Sequence, residues 1–184
     1  PERFCAIVPN VRMVDKTSTG EDYLNFLRHA IDSMEQAGMN PVIVLHDADE
    51  DRAVLGMMGG KYSQLPVLTH PDPRVLKGML GSADFVIGSR FHSLVSSLSQ
   101  GVPCIGAGWS HKYPELFRDF ACPELLLADL SDRSALSDLI ARLRNDDERA
   151  KVSARVSAAA DELKSRTNEM WAQVEAEIRA AKQS

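Results

Sequence analysis

Nowhere in these 184 residues does an apolar run approach the roughly 18 residues that a membrane-spanning helix needs, and the N-terminus lacks the basic and apolar regions of a signal peptide. A cytoplasmic protein is expected. There are only three cysteines, Cys5, Cys104 and Cys122, set far apart. An odd, scattered set supplies neither a disulfide framework nor a zinc cluster, so they read as small buried thiols in a reducing compartment. Positive charge is not in excess either. The net charge of -5 excludes a surface built mainly for nucleic acid or anionic lipid, so any anion site has to be local. The chain also lacks an initiating Met: "PERFCAIVPN" enters an apolar run at once, which reads as the C-terminal domain of a larger protein whose N-terminal partner domain is absent.

Several motifs are missing by one or two residues. No GxGxxG follows the first apolar run, which removes the usual sign of NAD or FAD. "GMMGGKY" has Leu55 five positions before Gly60, and Tyr62 where a phosphate loop needs Ser or Thr for magnesium. "IGSRFH" lacks the second glycine of a nucleophile elbow. "HDADEDR" opens like a calcium loop, but Arg52 stands where the turn needs Gly and Met58 where the last ligand should be Glu. Its acidic residues Asp47, Asp49, Glu50 and Asp51 read more simply as the first turn of a helix, stabilised by the helix dipole. No metal site is predicted.

What is present is an ordinary globular composition, 44% apolar and 26% charged, in a length suited to one domain. Apolar runs alternate with helical patterns. "FCAIVP" precedes a polar loop, and Ser18 with Glu21 forms a capping box for a helix carrying Leu24, Leu27, Ile31 and Met34 on one face. "PVIVLH", "PVLTH", "DFVIG", "VPCIGAG" and "ELLLADL" read as five further strands, with helices between them from Asp49, Asp72–Pro73, Phe91 and Pro114. Ser131 is expected to cap a helix with Leu136, Leu139, Ile140 and Leu143 inward. Residues 146–184 contain neither Gly nor Pro and read as one long helix or two, packed as an extension on a Rossmann-like domain of residues 1–145. His29, Met34 and Trp171 read as packing or surface residues rather than ligands.

Continuous apolar strands alternating with amphipathic helices predict an α/β fold, a doubly wound parallel six-stranded sheet covered on both faces. With strand order 3-2-1-4-5-6, ligands bind outside the carboxyl ends of strands 1 and 4, where the chain reverses direction. The loops "PNVRM", "SRFHS" and "GWSHKYP" then share one crevice and bring Arg12, Arg90, His92, His111 and Lys112 together as a local basic pocket. Ser89 can cap the following helix and leave backbone N–H groups free for phosphate or carboxylate. Arg adds a bidentate fork, and His a proton near neutral pH. The residues alone leave a second reading open, in which Ser89 is only a cap, Arg90 and His92 are partly exposed first-turn side chains, and His111 and Lys112 lie on a solvated loop.

The stretch "DFVIGSRFHSLVSSLSQGVPCIGAGWSHKYPELFRDF" resembles the signature region of the polysaccharide pyruvyl transferase family: strand, small residue, Arg, any residue, His, apolar helix, "GVP", strand, then a Lys-bearing loop before a short helix. The flanking "PNVR" and "GMNPVIVLHDADED" are similar to that family as well, and the likeness runs over about residues 4 to 128. The resemblance implies the C-terminal domain of a two-domain GT-B protein in exopolysaccharide biosynthesis. It implies transfer of pyruvyl from phosphoenolpyruvate to hydroxyls of a sugar or lipid-linked saccharide acceptor, with no cofactor besides that donor. It makes Arg90 and His92 the candidate catalytic pair, which also binds the donor, with Lys112 and Arg12 as further ligands; Ser89 and His111 are substrate-binding candidates from the loop reading alone. It also implies that this domain alone has low activity or none. Two other readings are a nucleotide-sugar-binding domain of a GT-B glycosyltransferase or sugar-nucleotide epimerase, and a non-catalytic module that docks through its C-terminal helix.

Overall fold

A computed structural model describes residues 3–16, 20–108 and 110–182. Six short strands form one parallel sheet: β1 (Cys5–Val8), β2 (Pro41–Val44), β3 (Val67–Leu68), β4 (Val86–Gly88), β5 (Cys104–Ala107) and β6 (Leu126–Leu127). Their order is β3-β2-β1-β4-β5-β6, with Ile7 in register with both Ile43 and Ile87. All four residues of β1 and of β5 are buried, because helices cover both faces of the sheet. The predicted fold class and strand order hold. β3 and β6 are shorter than their apolar runs suggest; both are edge strands, where a long unpaired ladder would invite pairing with another chain.

Among the described residues eight α-helices connect and cover the strands: α1 (Val11–Lys16), α2 (Gly20–Gln36), α3 (Ala48–Met58), α4 (Pro73–Gly81), α5 (Phe91–Leu98), α6 (Lys112–Asp119), α7 (Arg133–Arg144) and α8 (Asp146–Ala181). Helix α2 buries Tyr23, Leu24, Phe26, Leu27, Ala30, Ile31 and Met34 on one face, with Glu21 and Asp22 in its first turn. The Ser18 capping box lies outside the described residues. Asp72 caps α4 through the Arg74 amide at 2.9 Å, with Pro73 in the first turn.

Two expectations need correction. The stretch after β1 is not an open loop but the one-and-a-half-turn helix α1, because the Asn10 side chain accepts from the Arg12 amide (3.1 Å) and starts it. Asp132, not Ser131, caps α7 by accepting from the Ala135 amide, while Ser131 bonds Asp129. Of the two forms expected for the C-terminal segment, one long helix or two, the structure has the single helix, 36 residues capped by Asn145.

Helix α8 crosses the amino ends of the strands in order. Arg3, just before β1, bridges Asp146 of α8 and Asp84, which precedes β4; the Ser153 hydroxyl donates to the Gly101 carbonyl before β5; Arg155 pairs with Glu124 before β6. Gly101 is required twice over. Its φ is 78°, and a Cβ there would lie 2.1 Å from the Ser157 hydroxyl. Val152, Val156 and Ala160 of α8 are buried against the domain.

Candidate active site at the carboxyl ends of the strands

Strands β1 and β4 are neighbours, and the segments leaving their carboxyl ends are tied by buried polar contacts. Asn10, 3% exposed, donates from Nδ2 to the Ser89 carbonyl at 3.0 Å. The Asn10 amide donates to the Tyr23 hydroxyl (3.0 Å), which shares a 2.6 Å hydrogen bond with the Ser89 hydroxyl. Burial pushes the Tyr23 phenol above its ordinary range, so it stays a neutral hydroxyl. From the β5 side, Tyr113 of α6 donates to the same Ser89 carbonyl at 2.8 Å. Its ring fits because residue 108 is glycine; a Cβ there would stand 2.2 Å from the ring.

These contacts overturn the capping role expected of Ser89. Its hydroxyl is turned into the core toward Tyr23, and the N-cap of α5 is Arg90, in extended conformation, with no side-chain cap bond. The first turn of α5 is thus uncapped among the described residues, a place where backbone N–H groups seek an anion.

Arg90 is anchored by a residue that the sequence reading left as a solvated helix opener. Asp51, fully buried in α3, takes Arg90 side-on: Nε lies 2.9 Å from Oδ2 and Nη2 lies 2.6 Å from Oδ1. The same carboxylate accepts from the Val11 amide of α1 at 3.0 Å and from the Asp47 amide at 3.3 Å. One side chain therefore fastens the segments after β1, β2 and β4 together. A signal existed: Asp51 occupies the first position of the stripe Asp51, Val54, Leu55 and Met58, all buried in α3.

Arg12 is exposed and reaches the same place through Glu50, whose two oxygens hold Arg12 Nη2 at 3.0 Å and Arg90 Nη2 at 3.5 Å. The expected basic pocket is therefore partly neutralised by acids from α3. His92 is exposed and stacks on His46, which follows β2, with ring centroids 6.2 Å apart. Burial first, then the charge of Arg90 and the neighbouring His92, hold the His46 imidazole below its ordinary value. Lys112 begins α6 with its ammonium 5.1 Å from the Phe91 ring centroid, and Phe91 packs edge-on against both His92 and Tyr113. His111 is exposed just before α6 and makes no hydrogen bond or ion pair among the described residues. Arg90, His92 and Lys112 are brought together, Arg12 joins them through Glu50, and His111 stands at the margin.

An open groove of about 590 Å³ adjoins the site on the β3 side, with His46, Asp47, Thr69 and His70 in its wall. A separate cavity of about 290 Å³ lies at the opposite, amino end of the central strands, where Arg3 and Arg149 pair with Asp84 and Asp146. It has no part in this crevice. No group of three or more His, Cys, Asp or Glu side chains converges on a metal position among the described residues.

Comparisons with known proteins agree with the topology. A Thermobaculum terrenum O-GlcNAc transferase mutant matches with a TM-score of 0.55 and 14% identity, over 92% of this chain and 36% of its own. The glycotransferase of kitacinnamycin matches with a TM-score of 0.56 and 18% identity, over 94% and 43%. An E. coli structure described as trehalose-6-phosphate bound with UDP-2-fluoro glucose matches at 0.54 and 11% identity, over 87% and 40%. These similarities show a GT-B-type fold, and the chain spans about two fifths of the length of the structures it matches. No curated protein sequence matches. The family profile described as "Polysaccharide pyruvyl transferase" covers residues 6–111, from β1 through Arg90 and His92 to the start of α6. Because that match takes in more than half of the chain, including the segments after β1, β2 and β4 that meet at Asp51, this protein belongs to the polysaccharide pyruvyl transferase family.

Proposed function

We propose that this chain is the donor-holding half of an enzyme that moves the pyruvyl group of phosphoenolpyruvate onto sugar hydroxyls of a cell-surface polysaccharide or its lipid-linked precursor. The observation that carries the proposal is the side-on clamp of Arg90 by the buried Asp51, next to the uncapped first turn of α5. The clamp fixes the guanidinium in place and leaves Nη1 without a hydrogen bond among the described residues. A fixed guanidinium beside free backbone donors suits a ligand that carries both a carboxylate and a phosphate. Arg12 and Lys112 supply outer cations, with His111 at the rim, and the Ser89 main chain holds the junction in shape.

The chemistry asked of these residues balances without a further cofactor, because the donor carries its own activated enol and leaving group. A proton adds to the methylene carbon, a sugar hydroxyl bonds to C2 and gives up its proton, and the C2–O bond to phosphate breaks. A second hydroxyl then closes the ketal, and inorganic phosphate is released. His92 is the group proposed to deliver the first proton or to hold the departing phosphate. The acceptor surface is assigned to a second α/β domain facing the same crevice, and the reaction to the cytoplasm, where the donor is made.

Thermal unfolding with phosphoenolpyruvate and with a UDP-sugar tests the reading. A ligand at 100 times its dissociation constant stabilises by about 2.7 kcal/mol, which moves the midpoint by roughly 5–10 °C for a chain of this size. A shift with phosphoenolpyruvate that Arg90→Lys abolishes supports the donor-holding role. A shift with the UDP-sugar alone replaces it with a nucleotide-sugar site, and no shift with either ligand removes donor binding from this half.

A further inference from the structure

Four of the six large apolar side chains exposed in this structure lie on the last third of α8: Met170 (49% exposed), Trp171 (56%), Val174 (37%) and Ile178 (50%). They are not scattered. At 100° per residue, positions 152, 156, 160, 163, 167, 170, 171, 174 and 178 fall within an arc of about 100°, so the stripe that Val152, Val156 and Ala160 bury against the domain runs on unbroken. The domain covers the first half of the stripe, and α8 then continues beyond the amino end of the edge strand β6 with the second half uncovered.

The uncovered half is self-complementary about the point between Met170 and Trp171. Laid antiparallel on a second copy, Leu163 faces Ile178, Thr167 faces Val174, and Met170 faces Trp171. The flanking charges follow the same rule. On one flank, Asp161 pairs with Lys164 at 3.2 Å and Glu175 pairs with Arg179 at 3.4 Å within the single chain. Antiparallel placement sets Lys164 against the Glu175 position of the second copy, while Asp161 and Arg179 lie further round the helix and keep their pairs within each chain. On the other flank, Arg166 comes within reach of the Glu177 position. Parallel placement at the same level sets like charge against like.

We propose that the distal half of α8 is a homodimerisation surface, on which a second copy of this chain docks antiparallel through Met170, Trp171, Val174 and Ile178, with Leu163, half-buried against the domain, at its border. Two tryptophans at about 150–250 Å² each, with the aliphatic side chains of both copies, bring the contact to roughly the 1,000 Å² at which specific interfaces begin. A contact at that lower limit is expected to be a weak one, with association sought in the micromolar range.

Sedimentation velocity of the whole chain, from about 5 to about 200 µM, tests this range of affinity. The mass is expected to rise from 20.3 kDa toward twice that value. Val174→Glu is expected to stay monomeric throughout with an unchanged melting midpoint. Lys164→Glu is expected to weaken association by about tenfold, since symmetry breaks two ion pairs, and Lys164→Glu with Glu175→Lys to restore it. Oxidative cross-linking fixes the direction, because the native thiols are all buried. Trp171→Cys, next to the two-fold, is expected to cross-link to itself, and Leu163→Cys is not. A wild-type chain that remains monomeric at the highest concentration, a mass increase indifferent to Val174→Glu, or equal cross-linking of the two cysteine variants each overturns the proposal.

Discussion

The carboxylate of Asp51 grips Arg90 side-on from 39 positions away in the chain, fully buried, while also accepting the Val11 amide at the start of α1. Arg90 keeps part of its own side chain in solvent. Removing one partner of a buried ion pair strands the other, at about 3–5 kcal/mol. Asp51→Asn is expected near the lower end of that range, because Arg90 is only partly buried. Urea unfolding checks it. A loss below about 1 kcal/mol, the value of an exposed pair, would show that the clamp does not hold the three loops together.

Glu50 occupies the space between Arg12 and Arg90 with the same carboxylate chemistry as the proposed donor. Glu50→Gln is expected to tighten phosphoenolpyruvate binding by about 1.5- to 5-fold, the range given by exposed ion pairs worth about 0.2–1 kcal/mol. Calorimetric titration reads the change directly, and weaker binding in the variant would mean that Glu50 helps the ligand rather than competing with it.

His92→Ala separates chemistry from binding once the chain is joined to the proposed acceptor domain. A proton donor is worth about 10²- to 10⁴-fold in turnover, so kcat for phosphate release is expected to fall by that factor with KM for phosphoenolpyruvate little changed. A rise in KM at constant kcat makes His92 a phosphate ligand only.

His46 supplies a pH dependence with a definite sign. Its folded pKa lies below the ordinary value of 6.5, so the unfolded chain takes up its proton first as pH falls. The stability contributed by neutral His46 is therefore complete above pH 6.5 and declines on acidification from there down to the folded pKa, with a slope of at most about 1.4 kcal/mol per pH unit. In His46→Gln, that part of the slope is expected to vanish from unfolding free energies measured across the window. An identical pH profile in the variant counts against the assignment.

The three thiols are expected to resist labelling. Burial pushes Cys5 and Cys122 up to about 12 and Cys104 well above its ordinary value. At pH 8 a thiol reagent should modify none of them in the folded chain within minutes, and all three in denaturant. Rapid reaction of any one in the native state would place it at the surface.

The sequence by itself determined the parallel sheet and its fold class, and the order common to that class, 3-2-1-4-5-6, is the one the structure has. Runs such as "CAIV" and "CIGA" are apolar at every position, which only a strand covered on both faces tolerates, and the helices between them bear one apolar face each. From there the meeting of Arg12, Arg90, His92 and Lys112 at one end of the sheet followed from topology. The tertiary structure alone decided what those cations face. Asp51 and Asp49 both open the same helix and look alike as first-turn acids, yet Asp51 is buried and Asp49 exposed. Tyr23 looks like any apolar position of α2 until its hydroxyl finds Ser89, and Ser89 looks like a cap until its own hydroxyl turns inward. Periodicity states which face of an element is covered. It carries no information on which polar group lies opposite, because that partner comes from a distant segment whose placement is set only when the whole core has packed.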